Sequence, residues 1–150
     1  MTEPGLRLRN GRDRIPQVTP LHYLQRWQLA NEAFGDAVEL AMVIATGLGM
    51  RIGIRQPYVA AANPLEPNPP QQKINSWLRA AGFDYQSGAW IRQEDKLVML
   101  DTHEGNFILS SRRVRPVDVE LYQLEGTIGS VVPWEITRRR LIEAGLWKAV

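Results

Sequence analysis

An α+β domain is the expected fold of this chain, on three observations. Apolar residues recur at helical spacing in three separate segments. Short runs rich in Val, Ile, Leu and Met, bounded by turn residues, fill the intervals between them. The order is helix, hairpin, helix, a set of short strands and a final helix, which segregates strands from helices instead of alternating them one for one. With 150 residues and 44% hydrophobic content, one compact domain with its own core is the default.

Residues 1 to 18 are polar, rich in Arg, Gly and Pro, and lack periodicity, so they read as a flexible basic arm carrying Arg7, Arg9, Arg12 and Arg14. Thr19 followed by Pro20 has the form of an N-cap and first helical position, opening "LHYLQRWQLANEAFG", in which Leu21, Leu24, Trp27, Gln28 and Leu29 fall near helical spacing and Gly35 marks the stop. "AVELAMVIAT" and "MRIGIRQPYV" then form a hairpin about "GLG". "AANPLEPNPPQQ", with four prolines, is a connector between two unequal halves. Past it, "QKINSWLRAAGF" places Ile74, Trp77, Leu78 and Ala81 on one helical face and ends at Gly82. "GAWIRQ", "KLVMLD", "GNFILS" and "RVRPVDV" are short strands, and Pro133 starts a last helix bearing Arg138, Arg139 and Arg140. No internal repeat is present.

Composition removes several function classes. There is no cysteine, which excludes disulfides, thiolate metal sites and Cys nucleophiles. The net charge of +2 is too small for the basic pI, set mainly by arginine, to argue for nucleic acid. No stretch approaches the ~20 apolar residues of a membrane span, and the N-terminus has no apolar core of a signal peptide. A cytoplasmic protein with no membrane partner is expected.

Two sequence features are read as structural. Gly47, Gly49 and Gly53 in "GLGMRIG" have the look of a phosphate-cradling loop, but a hairpin turn calls for glycine on conformational grounds alone. "TRRRL" is the solvated face of a helix. The stretch "LDTHEGNFILSSRRVRPVDVE" is different. Asp101 follows the strand "KLVML", His103 comes two residues on, Asn106 opens the next strand, and Asp118 closes the strand after that. An acid that accepts a hydroxyl proton, followed by an amide oxygen and a second carboxylate for Mg²⁺, is the set of parts that phosphoryl transfer requires. Hard oxygen ligands suit magnesium. The same residues are also ordinary turn formers, so the bland reading of this segment stays open.

"LDTHEGNFIL" is similar to the Asp-x-His-x-Gly-Asn segment of the aminoglycoside and choline kinase group, and "VRPVDVE" looks like the metal-binding segment that follows it. In order along the chain, "YLQRWQLANEAFGD", "RQPYV", "WLRAAGF" and "DTHEGN" resemble the kinase-like domain found in polyvalent proteins of phages and conjugative elements. The resemblance covers about residues 19 to 124. It implies a protein-kinase-like fold, with residues 19 to 62 as a remnant nucleotide lobe and hinge and 71 to 150 as the C-terminal lobe. It implies ATP and Mg²⁺ as cofactors, Asp101 and His103 as catalytic residues, Asn106 and Asp118 as metal ligands, and Gln56 and Tyr58 in a hinge beside adenine.

The departures from that pattern are specific. Met99 stands where protein kinases have a histidine two residues before the aspartate, and Asp118 is followed by Val119 and Glu120 in place of Phe-Gly. All three lysines, Lys73, Lys96 and Lys148, follow the hinge, so no early lysine is available to hold the nucleotide phosphates. A nucleotide lobe truncated at its start is the expectation, giving a phosphotransferase-related domain inactive in isolation. A second protein that completes the lobe is the expected partner. The alternative is a non-catalytic binding module of a phage-derived or mobile-element protein, and a nucleic-acid accessory is the remote third.

Overall fold

The computed structural model describes residues 7–9, 12–14, 20–111, 113–124 and 131–149. It is an α+β assembly, as expected. The elements are β1 (Arg7–Arg9), β2 (Arg12–Arg14), α1 (Pro20–Phe34), β3 (Glu39–Thr46), β4 (Gly49–Arg55), α2 (Gln71–Ala80), β5 (Asp84–Gln86), β6 (Ala89–Arg92), β7 (Leu97–Leu100), a 3-10 turn (Glu104–Asn106), β8 (Phe107–Ser110), β9 (Arg113–Pro116), β10 (Glu120–Gln123) and α3 (Trp134–Glu143).

The centre is an antiparallel four-stranded sheet in the order β10-β7-β6-β5. Its central strands are apolar: every residue of β7 is buried, as its unbroken run Leu97, Val98, Met99, Leu100 requires of a strand covered on both faces. One face carries the main core. Trp27, Ala30, Ala33 and Phe34 of α1 and Ile74, Trp77 and Leu78 of α2 meet Met99, Leu121, Phe107 and Val114 there, with Leu141 of α3 closing the end. Phe34 lies 5.6 Å from Trp77, which in turn stands edge-on to Phe107 at 6.1 Å.

Beneath this core lies an ion pair that takes its place in the fold from "IRQEDK". Arg92 and Asp95 are both sealed from solvent, at 0% and 1% side-chain exposure, and make a two-pronged contact of 2.7 to 3.1 Å. Arg92 also donates to the Ala81 carbonyl and to Thr137 Oγ1, while Asp95 accepts from the Val132 and Leu97 backbone N–H groups. A buried charge pair is tolerated when its remaining polar valences are filled, and this network ties α2, β6, β7 and α3 together.

Several expected elements shift in detail. Within the stretch read as a flexible arm, β1 and β2 pair antiparallel, with Arg7 opposite Arg14. The Thr19 cap and the rest of the arm lie outside the described residues. Asp118 does not close a strand. Strand β9 ends at Pro116, Asp118 sits in the bend that follows, and a separate strand, β10, begins at Glu120. The proline connector is not a free linker: Ala62 N donates to Leu109 O, Leu109 N to Pro67 O and Asn68 Nδ2 to Phe107 O, which fastens it along β8. Among the described residues no helix is long and apolar enough to cross a membrane.

Candidate functional site

The loop between β7 and β8 is built from its own side chains. Asp101 leaves β7 in the left-handed region, at φ 59°, a conformation that aspartate tolerates better than most residues and that turns the chain sharply away from the sheet. His103 caps the 3-10 turn, its Nδ1 accepting from the Gly105 backbone N–H at 3.1 Å. That bond fixes the tautomer. With Nδ1 as acceptor, the proton of a neutral imidazole resides on Nε2, which lies 3.3 Å from Asp101 Oδ1. Asn106 Nδ2 donates to the Asp101 carbonyl at 2.7 Å and lies 3.2 Å from the same ring nitrogen. Gly105 leaves room for the ring: a Cβ there would stand 2.9 Å from His103 Cε1.

The loop is also held from outside. Helix α2 opens with unpaired backbone N–H groups, and Glu104 Oε1 accepts one of them, from Gln71, at 2.9 Å. The Gln71 amide reaches the Thr102 carbonyl at 3.1 Å. Asp101 and His103 remain exposed within this frame, and Asn106 is buried.

The two segments expected to hold a metal are neighbours through their backbones, because Val117 N donates to Asn106 O at 2.9 Å. The Asp118 carboxylate itself is engaged by Arg26 of α1, whose Nη2 donates to Oδ1 at 2.7 Å while Nε donates to the Val119 carbonyl at 3.0 Å. Arg26 also lies 4.8 Å over the Trp27 ring. Among the described residues no group of three or more His, Asp or Glu side chains could hold a metal ion. The expected magnesium would have only the Asn106 amide oxygen and the second Asp118 oxygen to take from these residues. Such a pair fits a magnesium that keeps its waters and takes further ligands from phosphates, and it does not fit a metal caged by protein alone.

Glu120 and Arg26 were missed in the sequence. Glu120 stands opposite Leu100, one residue before Asp101, and its Oε2 is buried with no hydrogen-bond partner. Burial raises its carboxyl above the usual range; Arg26 lowers it, and the charges of Asp101 and Asp118 raise it again. Three carboxyls thus share one electrostatic neighbourhood with a single guanidinium. The period-2 alternation of "VELYQ" was the available signal for Glu120, since it sets Glu120 and Tyr122 on the face opposite buried Leu121.

Gln56 and Tyr58 fall elsewhere, on the irregular segment after β4. Both line a shallow cavity of about 110 Å³ together with Asp36, Val38, Arg115 and Val117. Val117 is the residue before Asp118, so the cavity wall and the carboxylate are consecutive in the chain. Burial pushes the Asp36 carboxyl up to about 7 against the opposing pull of Arg115.

Comparison with family models, with curated proteins and with solved structures returns no match for this chain.

Proposed function

We propose that this chain is a kinase-like domain related to small-molecule phosphotransferases, which binds a magnesium nucleotide and does not transfer phosphate on its own. The observation that carries the reading is the Asp101, His103 and Asn106 loop held by hydrogen bonds beside Asp118. In this reading Asp101 is the proton acceptor, His103 the orienting imidazole, and Asn106 and Asp118 the oxygen ligands, carried on the β7–β8 loop and the bend after β9. Asp101 would take a proton from an acceptor hydroxyl, with His103 Nε2–H holding its carboxylate in one orientation. Asn106 and Asp118 would hold Mg²⁺, whose chemistry is to neutralise phosphate charge. Gln56 and Tyr58 would border the base in the cavity.

Inactivity in isolation follows from positioning. Phosphoryl transfer depends on holding the γ-phosphate in line, and removal of one strong charge stabiliser costs on the order of 10²-fold or more in rate. No lysine precedes the hinge. The partner in this reading is a protein that completes the lobe.

A second reading, the non-catalytic binding module, is favoured by the Arg26 contact. The carboxylate that would take the metal already has a cationic partner at 2.7 Å. Two measurements separate the readings. Isothermal titration with Mg²⁺ and ATP is expected to give weak binding that Asp118→Ala abolishes without loss of fold; identical heats for both proteins would refute the metal site. Incubation with γ-labelled ATP, Mg²⁺ and a panel of hydroxyl compounds is expected to give no transfer. Turnover that vanishes in Asp101→Asn would make the chain a working enzyme.

A further inference from the structure

Most of the β3–β4 hairpin stands clear of the core, and only Ile54 of β4 packs against it. All eight residues of β3 are exposed, Leu40, Met42, Val43 and Ile44 among them, and Met50 of β4 is exposed as well. A two-stranded ribbon is at best marginally stable in water, and a long apolar strand edge is normally paired, covered or charged. Among the described residues neither outer edge of this hairpin meets another strand, and no backbone hydrogen bond outside the ribbon reaches it.

The register sorts its side chains. Leu40 pairs with Ile54, Val43 with Ile52 and Ala45 with Met50, so one face is wholly apolar. The other face carries Met42 opposite Gly53, Ile44 opposite Arg51, and Glu39 opposite Arg55. Ala41 is the extra residue of a bulge that restores this alternation. The two edges consequently differ. Along β4 the sequence alternates Met50, Ile52, Ile54 on the apolar face with Arg51, Gly53, Arg55 on the other. Arg55 has only a loose contact of 3.8 Å with Glu39, both side chains being exposed, and Arg51 has no anionic partner among the described residues.

We propose that the outer edge of β4 is a docking site for an extended segment of another protein in which apolar and acidic residues alternate. Such a segment adds as a strand. Its backbone pairs with β4, its apolar side chains continue the face of Met50, Ile52 and Ile54, and its carboxylates fall beside Arg51 and Arg55 on the opposite face. A second copy of this chain is a poor occupant of this edge. Two β4 strands in antiparallel register about a two-fold at Ile52 would set Arg51 diagonally against its own copy on one face, with no acidic residue of β4 to offset the charge.

The probe is a synthetic peptide of about ten residues alternating valine with glutamate, long enough to span β4, with a valine–lysine peptide as its counterpart. Binding is read by fluorescence anisotropy of the labelled peptide, and the contact by hydrogen exchange of the full chain. The glutamate peptide is expected to bind at least about tenfold more tightly than the lysine peptide, to weaken as salt is raised, and to slow exchange within residues 49–55. In the Arg51→Glu/Arg55→Glu double variant the preference should reverse. Both positions are exposed, and near-ultraviolet circular dichroism is the check that the variant keeps its packed core. Equal binding of both peptides, no binding of either, unchanged preference in the variant, or protection that falls on residues 39–46 and grows with protein concentration would overturn the proposal. The last result would assign the hairpin to self-association through β3.

Discussion

Replacing Asp95 with alanine removes the anionic half of the buried pair and leaves Arg92 charged at 0% side-chain exposure. Three of the hydrogen bonds that hold the guanidinium go with the carboxylate, and the Ala81 carbonyl and Thr137 Oγ1 are left as its nearest acceptors. The backbone N–H groups of Val132 and Leu97 lose their acceptor at the same time. Breaking a buried pair from one side costs about 3–5 kcal/mol, because the uncompensated charge stays desolvated. For a domain of this size each kcal/mol lowers Tm by roughly 2–4 °C, so a fall of about 10 °C is expected in a calorimetric scan, with a matching drop in the urea midpoint. The double variant Arg92→Met/Asp95→Leu provides the control, since an apolar pair of similar volume avoids the stranded charge and should recover at least half of the loss. A decrease below about 3 °C for Asp95→Ala, or a double variant no better than the single one, would refute the role given to this network.

Two further perturbations bear on the site and its surroundings. The Asp36 carboxyl, raised by burial from 3.8 to about 7, binds its proton in the folded state where the unfolded chain has lost it. Its contribution is fully present below pH 3.8 and is lost as pH rises through 7, so Asp36→Asn should flatten that decline in urea titrations and be the more stable protein at pH 8. An unchanged pH profile would count against burial of this carboxyl. Gly105→Ala should push the imidazole off the turn, because its Cβ would stand 2.9 Å from His103 Cε1. Nitrogen shifts of His103 in NMR spectra are expected to lose the single Nε2–H tautomer, and retention of that tautomer would show that the cap does not set it.

The parts of the fold legible in the sequence are those with a strong local period. Ile74, Trp77 and Leu78 announce α2 by their spacing, and the unbroken apolar run of β7 announces a central strand. The β5 strand was not seen because Asp84, Tyr85 and Gln86 are all exposed and carry no alternation. Its evidence lay in Ser87 and Gly88, whose positive φ values of 49° and 92° make the two-residue turn into β6. In the site, the Asp101 to Asn106 loop was legible because its partners lie within six residues. Arg26 was not, since its contact with Asp118 spans 92 positions and depends on how α1 crosses β10.

The position of Arg26 also gives the protein a built-in optical probe. The guanidinium that holds Asp118 lies over the indole of Trp27, and that indole is largely buried with an N–H that has no acceptor. Indole emission depends on the charges close to its ring. A cation that displaced Arg26 from Asp118 would change the charge over the indole, and the tryptophan emission of the unlabelled chain would report it. The other four tryptophans supply a background that Trp27→Phe would isolate.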